Sequence, residues 1–151
     1  SPLQLAAAAA ALANGGLMAH PHIVSRVVRK DGSLFKRPSA PSPVRLCSEH
    51  TARLVLDMMH AAVEYGTARV AQIENVPVSG KTGTAQKWDP VAGRYVEDAY
   101  VTSFLLICPT DAPRFVVYVA VDEPHVSQHG SDAAGPTARD IASFAMRQMP
   151  E

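Results

Sequence analysis

Two almost continuous apolar runs, residues 104–107 and 115–119, constrain the fold of this chain more than any other feature. A β-strand with one face in water alternates apolar and polar residues, so runs without that alternation predict strands that are covered on both faces. Residues 108–114 separate the two runs, and they contain a short loop, 109–113, with a proline at each end. A loop of that length favours antiparallel neighbours, which predicts a sheet with helices packed on both of its faces.

The remaining pattern predicts further elements around these strands. Periodic apolar residues predict helices, whereas β-branched runs bounded by turn residues predict a hairpin and strands. In chain order we expect a helix over residues 1–14, a hairpin over 22–37 with its turn at Asp31-Gly32, a helix over 48–65, strands over 76–88, 95–108 and 114–121, and a helix over 136–149. This order of elements indicates an α+β fold.

Each long helix is expected to bury one apolar stripe. In the helix over residues 48–65, Ser48 is the expected N-cap and Gly66 the expected left-handed stop. The predicted buried residues of that helix are Leu54, Val55, Met58, Met59 and Ala62. An apolar stripe on the first helix consists of Leu5, Ala8, Ala9 and Leu12, and one side of the last helix carries Ile141, Phe144, Ala145 and Gln148.

Composition excludes several classes of protein. The chain has 151 residues, with 14 Lys plus Arg and 14 Asp plus Glu, so its formal net charge is zero. A neutral chain lacks the basic surface that non-specific nucleic-acid binding requires. With 47% apolar and 19% charged residues it is not a disordered chain, and 2 cysteines are too few for a disulfide scaffold or a structural zinc site.

Residues 78–86, with the sequence VSGKTGTAQ, carry the most informative motif. One interpretation is a phosphate-binding loop, but Asn75 stands where its first glycine belongs, and Pro77 removes a backbone donor inside the loop. Such a loop must also open a helix at its Lys-Thr pair, whereas here Gly83 follows and the next residues do not favour a helix. These departures argue against a phosphate site.

The second interpretation places the Lys-Thr-Gly motif on an edge strand that faces a cleft. Lys81 would supply positive potential for a substrate carboxylate and hold a neighbouring serine hydroxyl in a proton-transfer chain. Thr82 and Thr84 flank Gly83, so both hydroxyls share one face of the strand and can bind one carboxylate. Gly83 leaves room for a peptide-like substrate, and a backbone N–H of this segment can contribute to an oxyanion hole.

Seven segments in a fixed order make the Lys-Thr-Gly motif specific. They are SPLQLA at 1–6, ALANGG at 11–16, YGTA at 65–68, VSGKTGTAQ at 78–86, TSF at 102–104, CP at 108–109 followed by PR at 113–114, and VDEP at 121–124. Together they resemble the C-terminal part of the transpeptidase domain of a class B penicillin-binding protein. The resemblance covers nearly the whole chain.

That resemblance implies a D,D-transpeptidase, which cross-links peptidoglycan stem peptides through an acyl-serine and is acylated by β-lactam antibiotics. It implies a membrane-anchored parent protein on the outer side of the cytoplasmic membrane, with no metal or organic cofactor. The three strands would be the C-terminal part of a five-stranded sheet. In the family the Lys-Thr-Gly strand lines the active site, so the expected catalytic residues are Lys81 and Thr84, and the expected substrate-binding residues are Lys81, Thr82, Gly83 and Thr84. Thr84 would give the second oxyanion-hole N–H.

The family motifs that carry the nucleophile do not occur at matching positions. The S-x-x-K pattern occurs once, from Ser33 to Lys36, on the return arm of the predicted hairpin, whereas the family motif opens a helix. No serine has an asparagine two residues later, so S-x-N is not found. We therefore expect residues 1–151 to be the part of one transpeptidase domain that lies downstream of S-x-N, inactive alone and prone to self-association through an orphaned apolar interface.

Other functions and details remain open at the level of sequence. A serine β-lactamase or β-lactam sensor shares the Lys-Thr-Gly motif, and a non-enzymatic binding or scaffold module is a further alternative. Trp88 either lines the cleft or caps a hairpin, and Cys47 and Cys108 either pair or stay free. The histidine pairs at 20/22 and 125/129 are expected at the surface rather than on a metal.

Overall fold

Twelve short and long elements make up the chain in a computed structural model, which describes residues 1–36, 39, 41–125 and 127–148. In chain order they are helix α1 (Pro2–Ala13), strands β1 (Leu17–Met18), β2 (Val27–Val28), β3 (Leu34–Lys36) and β4 (Val44–Arg45), helix α2 (Glu49–Tyr65), a 3-10 turn (Arg69–Ala71), strands β5 (Ser79–Asp89), β6 (Arg94–Cys108) and β7 (Phe115–Asp122), and helices α3 (Gly130–Ala133) and α4 (Gly135–Gln148). The predicted α+β fold class is confirmed.

Strands β5, β6 and β7 form an antiparallel sheet with β6 in the centre. All three predicted strands are present, and their ends differ from the prediction by at most three residues. Strand β5 begins at Ser79 rather than at residue 76, because Pro77 has no N–H to donate to a strand neighbour. The carbonyl of Pro77 instead accepts the N–H of Thr110 from the loop after β6. The pairs β1–β4 and β2–β3 are separate two-stranded sheets.

The two faces of the central sheet bury different sets of residues. Leu106 of β6 belongs to a core shared with α2 and α4, which includes Phe104, Val63, Val78, Ala138 and Ala142. The next residue, Ile107, belongs to a second core with Ala9 of α1 and with Leu56 and Met59 of α2. Successive residues of a strand point to opposite faces, so β6 fills both cores at once. Helices therefore cover both faces, as the uninterrupted apolar runs predict.

Helix α2 confirms its predicted cap and corrects its predicted buried face. The Ser48 hydroxyl accepts the N–H of Thr51 at 3.0 Å, which is an N-cap. The buried residues are Ala52, Leu56, Met59 and Val63, whereas the predicted core residues Leu54 and Met58 are 44% and 67% exposed. The buried stripe is thus rotated from the predicted one, but it shares Met59 with it.

The stop of α2 also differs from the prediction. Gly66 has φ −113° and ψ −151°, so it is extended rather than left-handed. A Cβ at this position would lie 3.0 Å from the carbonyl oxygen of Ala62. The glycine is therefore needed for a close approach between the chain and the last turn of the helix, and a left-handed conformation plays no part.

Helix α4 has small residues at its buried face. Gly135, Ala138 and Ala142 are buried, whereas Ile141 and Phe144, which the sequence places together on one side of this helix, are 47% and 59% exposed. Small side chains allow α4 to approach the ring of Phe104, which a Cβ at position 135 would meet at 3.3 Å. The first helix likewise buries Ala9 and Ala11 and leaves Leu5 exposed. The predicted end of the last helix at Met149 lies outside the described residues.

The predicted hairpin is confirmed, but it is shorter and wholly exposed. Strands β2 and β3 replace the predicted arms, and Gly32 turns the chain with φ +81°. The Asp31 carboxylate accepts the N–H of Ser33 at 2.9 Å, so Ser33 lies in the turn and not at the start of a helix. Residue 37 lies outside the described residues. Within the described ranges, no helix has the length and apolar composition needed to span a membrane.

Two adjacent methionines of α2 test the corrected helix face. Met59 is 8% exposed and Met58 is 67% exposed. We expect Met59→Ala to lower the free energy of unfolding by about 2–5 kcal/mol, because it leaves a cavity beside Ile107. Met58→Ala should change that free energy by less than about 0.5 kcal/mol. Denaturant unfolding measures both, and equal losses for the two variants would contradict the assigned face.

Candidate active site

The Lys-Thr-Gly motif lies in the first half of β5, at one edge of the central sheet. Strand β5 pairs only with β6 among the described residues, so its other side is an edge. The strand continues from Ser79 to Asp89, and no helix begins at Lys81-Thr82. The edge strand predicted for this motif is thus present, and the phosphate-loop interpretation is wrong.

The start of β5 is anchored to α2 by buried hydrogen bonds. The hydroxyl of Ser79, which has no exposed surface, donates to the carbonyl of Leu56 at 2.9 Å and lies 2.9 Å from the hydroxyl of Thr110. One residue earlier, Nδ1 of His60 lies 2.9 Å from the carbonyl of Val78. A buried polar group without a partner costs about 1–3 kcal/mol, so this satisfied network resists any slip of the strand. Lys81 follows two residues later.

Lys81 and Lys87 are both on β5 but differ in their partners. Lys81 is exposed, and its Nζ donates to the carbonyl of Thr82. No ion pair within the described residues includes Lys81. Lys87 pairs with Glu123 at 2.7 Å and with Asp122 at 3.0 Å, and hydrogen bonds to these two carboxylates raise the pKa of Lys87. The cation of Lys81 is thus the one that this strand offers to a ligand.

The hydroxyls of Thr82 and Thr84 lie on one face of the sheet, as the spacing predicts. Thr82 is opposite Phe104 and Thr84 is opposite Thr102, and both partners on β6 are fully buried. On this face Oγ1 of Thr82 lies 3.5 Å from Oγ1 of Thr67, in the segment after α2. Oγ1 of Thr84 donates to the carbonyl of Gln128 at 3.3 Å, so this hydroxyl already has an acceptor within the protein.

Gly83 lies between these threonines, with its missing side chain directed to the opposite face. A Cβ at this position would lie 2.5 Å from Oγ of Ser103, the residue opposite it on β6. The sequence interpretation ascribed this glycine to the approach of a substrate. The structure adds an internal reason, because the Ser103 hydroxyl occupies the space that a side chain at position 83 would need.

Several neighbours of the motif were not singled out by sequence reasoning. Gly130 of α3 is buried on the backbone of Gly83 and Ser103, and Thr67 and Gln128 contact the two threonines. The signals that could have found them are weak. Thr67 lies within the YGTA segment and Ser103 within TSF, and the glycine- and alanine-rich residues 130–135 resemble the family's approach to its last helix.

The structure decides between the alternatives left open for Trp88 and for the two cysteines. The rings of Trp88 and Tyr95 meet edge to face with centroids 5.1 Å apart across the β5–β6 hairpin, so Trp88 caps that hairpin. Cys47 and Cys108 are both free. Burial raises the pKa of the Cys108 thiol to about 11, because the apolar surroundings disfavour the thiolate.

The remaining sequence candidates do not join the site. The S-x-x-K serine, Ser33, lies in the exposed turn of the hairpin, where the Arg29 guanidinium donates to its hydroxyl at 3.4 Å. Within the described part of the chain, no group of three or more His, Cys, Asp or Glu side chains is placed to hold a metal ion.

Comparison with known proteins gives a consistent set of relatives. A family model described as the penicillin binding protein transpeptidase domain matches residues 1–143. Penicillin-binding protein PbpB of Mycolicibacterium smegmatis is 33% identical over 155 residues, which cover 97% of this chain and 24% of that protein. Stage V sporulation protein D of Bacillus subtilis is 37% identical over 153 residues, which cover 99% of this chain and 23% of that protein.

A solved structure shows the same fold. The crystal structure of penicillin binding protein 3 from Mycobacterium tuberculosis in its apo form matches with a TM-score of 0.89 and 32% identity, over 98% of this chain and 35% of that one. The same protein complexed with ampicillin gives a TM-score of 0.88. This chain spans about a quarter of the length of the curated relatives it matches. The family match over residues 1–143 and the shared fold show that the chain belongs to the penicillin binding protein transpeptidase domain family.

Proposed function

We propose that this chain is the C-terminal portion of a peptidoglycan D,D-transpeptidase domain, which cross-links stem peptides through an acyl-serine and is acylated by β-lactams. The observation that carries the proposal is an edge strand that exposes Lys81 and, in the positions that follow, directs the hydroxyls of Thr82 and Thr84 to one face. Two further facts support it. A relative at 38% identity is named a probable peptidoglycan D,D-transpeptidase FtsI, from Caulobacter vibrioides, and a solved neighbour is complexed with aztreonam.

Each residue of the motif has a role that its geometry allows. The Lys81 ammonium, without a carboxylate partner in the described residues, attracts the carboxylate of a stem peptide or β-lactam and supports proton transfer through a serine hydroxyl. Thr82 and Thr84 donate hydroxyl hydrogen bonds to that carboxylate, and Thr84 exchanges its acceptor at Gln128 for it. The Thr84 N–H is one donor of the oxyanion hole, which stabilises the tetrahedral intermediate.

The nucleophile and its lysine belong, in this proposal, to a part of the domain upstream of residue 1. Covalent catalysis needs an activated serine within hydrogen-bond reach of its base, and neither Lys81 nor the threonines replace it. A groove of about 540 Å³ between α1 and the start of β7 supports a place for that upstream part. Its lining is largely apolar and includes Leu3, Ala6, Ala10, Phe115 and Val116. The parent protein would act outside the cytoplasmic membrane and need no cofactor.

The two lysines of β5 provide a matched test of this function. In the full-length protein that carries this chain, we expect Lys81→Ala to reduce covalent labelling by fluorescent penicillin about 100-fold or more, because positioning and proton transfer are lost. Lys87→Ala removes an equivalent charge from the same strand and should leave labelling nearly unchanged. Labelling is read from denaturing gels. Undiminished labelling of Lys81→Ala would refute the assigned role.

The chain of residues 1–151 alone is expected not to form a stable covalent adduct with penicillin, because the nucleophile lies elsewhere. Adding the upstream part in trans should restore labelling if the two parts reassemble. The measurement uses intact mass before and after incubation with penicillin. A mass increase of one penicillin on the isolated chain would show that a nucleophile is present within it. Slow loss of a restored adduct indicates a transpeptidase, and rapid hydrolysis a β-lactamase.

Self-association of the isolated chain is a further expected outcome. The apolar groove between α1 and β7 has no cover within the described residues, and apolar surfaces of this kind favour association. Sedimentation velocity at increasing concentration should show a rising mean mass, which the upstream part in trans reverses. A monodisperse monomer at high concentration would count against an orphaned interface.

A further inference from the structure

Gly130, the first residue of α3, lies directly on the backbone of the Lys-Thr-Gly strand and is buried. A Cβ built on it would overlap the carbonyl oxygen of Ser103 and lie 2.7 Å from the carbonyl oxygen of Gly83. Both are backbone atoms of paired strands, so no change of rotamer relieves the overlap. Gly130 does not have a positive φ. The position requires glycine because of this close approach and not because of its own conformation.

The contact with Gly83 reaches the peptide unit on which the proposed function depends. The carbonyl of Gly83 and the N–H of Thr84 belong to one peptide bond, which is planar and resists twisting. A push on the Gly83 oxygen therefore turns the Thr84 N–H with it. That N–H is the donor assigned to the oxyanion hole, and such donors act by being aimed in advance at the developing charge.

Gly83 is enclosed on its other face as well. Paired residues of antiparallel strands direct their side chains to the same face, so the Ser103 hydroxyl lies on the face to which a side chain at Gly83 would point. The contact between Thr84 and Gln128 is on the opposite face, and it belongs to the segment that leads into Gly130. The peptide after Gly83 is thus held between a hydroxyl on one face and a glycine on the other.

The segment that carries Gly130 is itself well anchored. The hydroxyl of Ser127 donates to Asp132 at 2.8 Å and accepts the N–H of His129 at 3.1 Å. Helix α3 leads directly into α4, whose Ala138 is fully buried in the core beneath the sheet. These contacts therefore hold Gly130 against the strand.

We infer that Gly130 is a positioning residue for the acylation step: it sets the angle of the peptide between Gly83 and Thr84, and hence the direction of the Thr84 N–H in the oxyanion hole. The inference rests on the proposed transpeptidase function. Gly130 touches no reacting atom and acts through Gly83. Its effect belongs to the chemical step, because the tetrahedral intermediate uses the oxyanion donors more than the bound ligand does.

The test compares Gly130→Ala with Gly135→Ala in the full-length protein. A Cβ at position 135 would meet the Val70 side chain and the Phe104 ring. Gly135→Ala therefore crowds the core without adding an atom beside Gly83. Stopped-flow acylation by a penicillin separates the Kd of the non-covalent complex from the acylation rate constant. We expect Gly130→Ala to lower the rate constant about 10–100-fold with Kd changed less than about threefold. Gly135→Ala should lower Tm and keep the rate constant within about threefold of wild type.

Three results would overturn the inference. The first is an unchanged rate constant in folded Gly130→Ala, and the second is an equal loss in both alanine variants. The third is a wild-type protein that no penicillin acylates, which refutes the proposed function and the inference with it. That third result is seen before any variant is made, so the two failures are distinguished.

Asp132 supplies a milder variant in case Gly130→Ala does not fold. Asp132 is exposed, and Asp132→Ala removes the acceptor of the Ser127 hydroxyl without adding an atom beside Gly83. Loss of one such hydrogen bond should lower the acylation rate constant about 3–10-fold by loosening the support of Gly130. Asp132→Asn keeps a carbonyl acceptor and should restore most of the rate. If Asp132→Ala acylates at the wild-type rate while Gly130→Ala is unfolded, the inference is wrong.

Discussion

The ring of Phe104 lies at the centre of β6 with no exposed surface, and two glycines close onto it. Gly80 approaches from the neighbouring strand, where a Cβ would lie 3.1 Å from the ring, and Gly135 approaches from the start of α4. Burying a phenylalanine stabilises a fold by about 1.5–3 kcal/mol, but here its position matters more than its energy. The ring fills the space beneath Gly80 and so supports the start of the strand that carries Lys81.

The strand positions were predictable from local signals, whereas the buried helix faces were predictable only in part: Ala9 and Met59 are buried as expected. Prolines at 109 and 113 bracket the turn between two apolar runs, and the observed strands end within a residue of the prediction there. In the helices, hydropathy alone favours burial of the large apolar residues Met58 and Phe144, yet both are exposed. At α4, small residues such as Ala138 occupy the contact instead, because packing brings that helix close to the sheet, whereas α2 buries Leu56 and Met59.

The candidate site was likewise predictable only in part. Side chains alternate between the two faces of a strand, which is sufficient to place Thr82 and Thr84 on one face. This feature of the site could therefore be predicted from the nine residues 78–86 alone. Their contacts come from residues 15 and 44 positions away, through the docking of the segment after α2 and the segment before α3. Nothing in the local pattern of β5 indicates that the Thr84 hydroxyl is held by Gln128, or that Ser103 lies under Gly83.

The enclosure of Gly83 also limits how such a strand can change over evolutionary time. A Cβ at 130 meets backbone oxygens, which no change of rotamer moves, whereas a Cβ at 83 meets the Ser103 hydroxyl, so position 130 is the more strictly limited of the two. The half-exposed Thr82 and the exposed Thr84 carry no such restriction. Under the proposed function, variation in ligand recognition would therefore fall on side chains at the surface of the strand, while Gly130 and Ser103 keep its backbone in place.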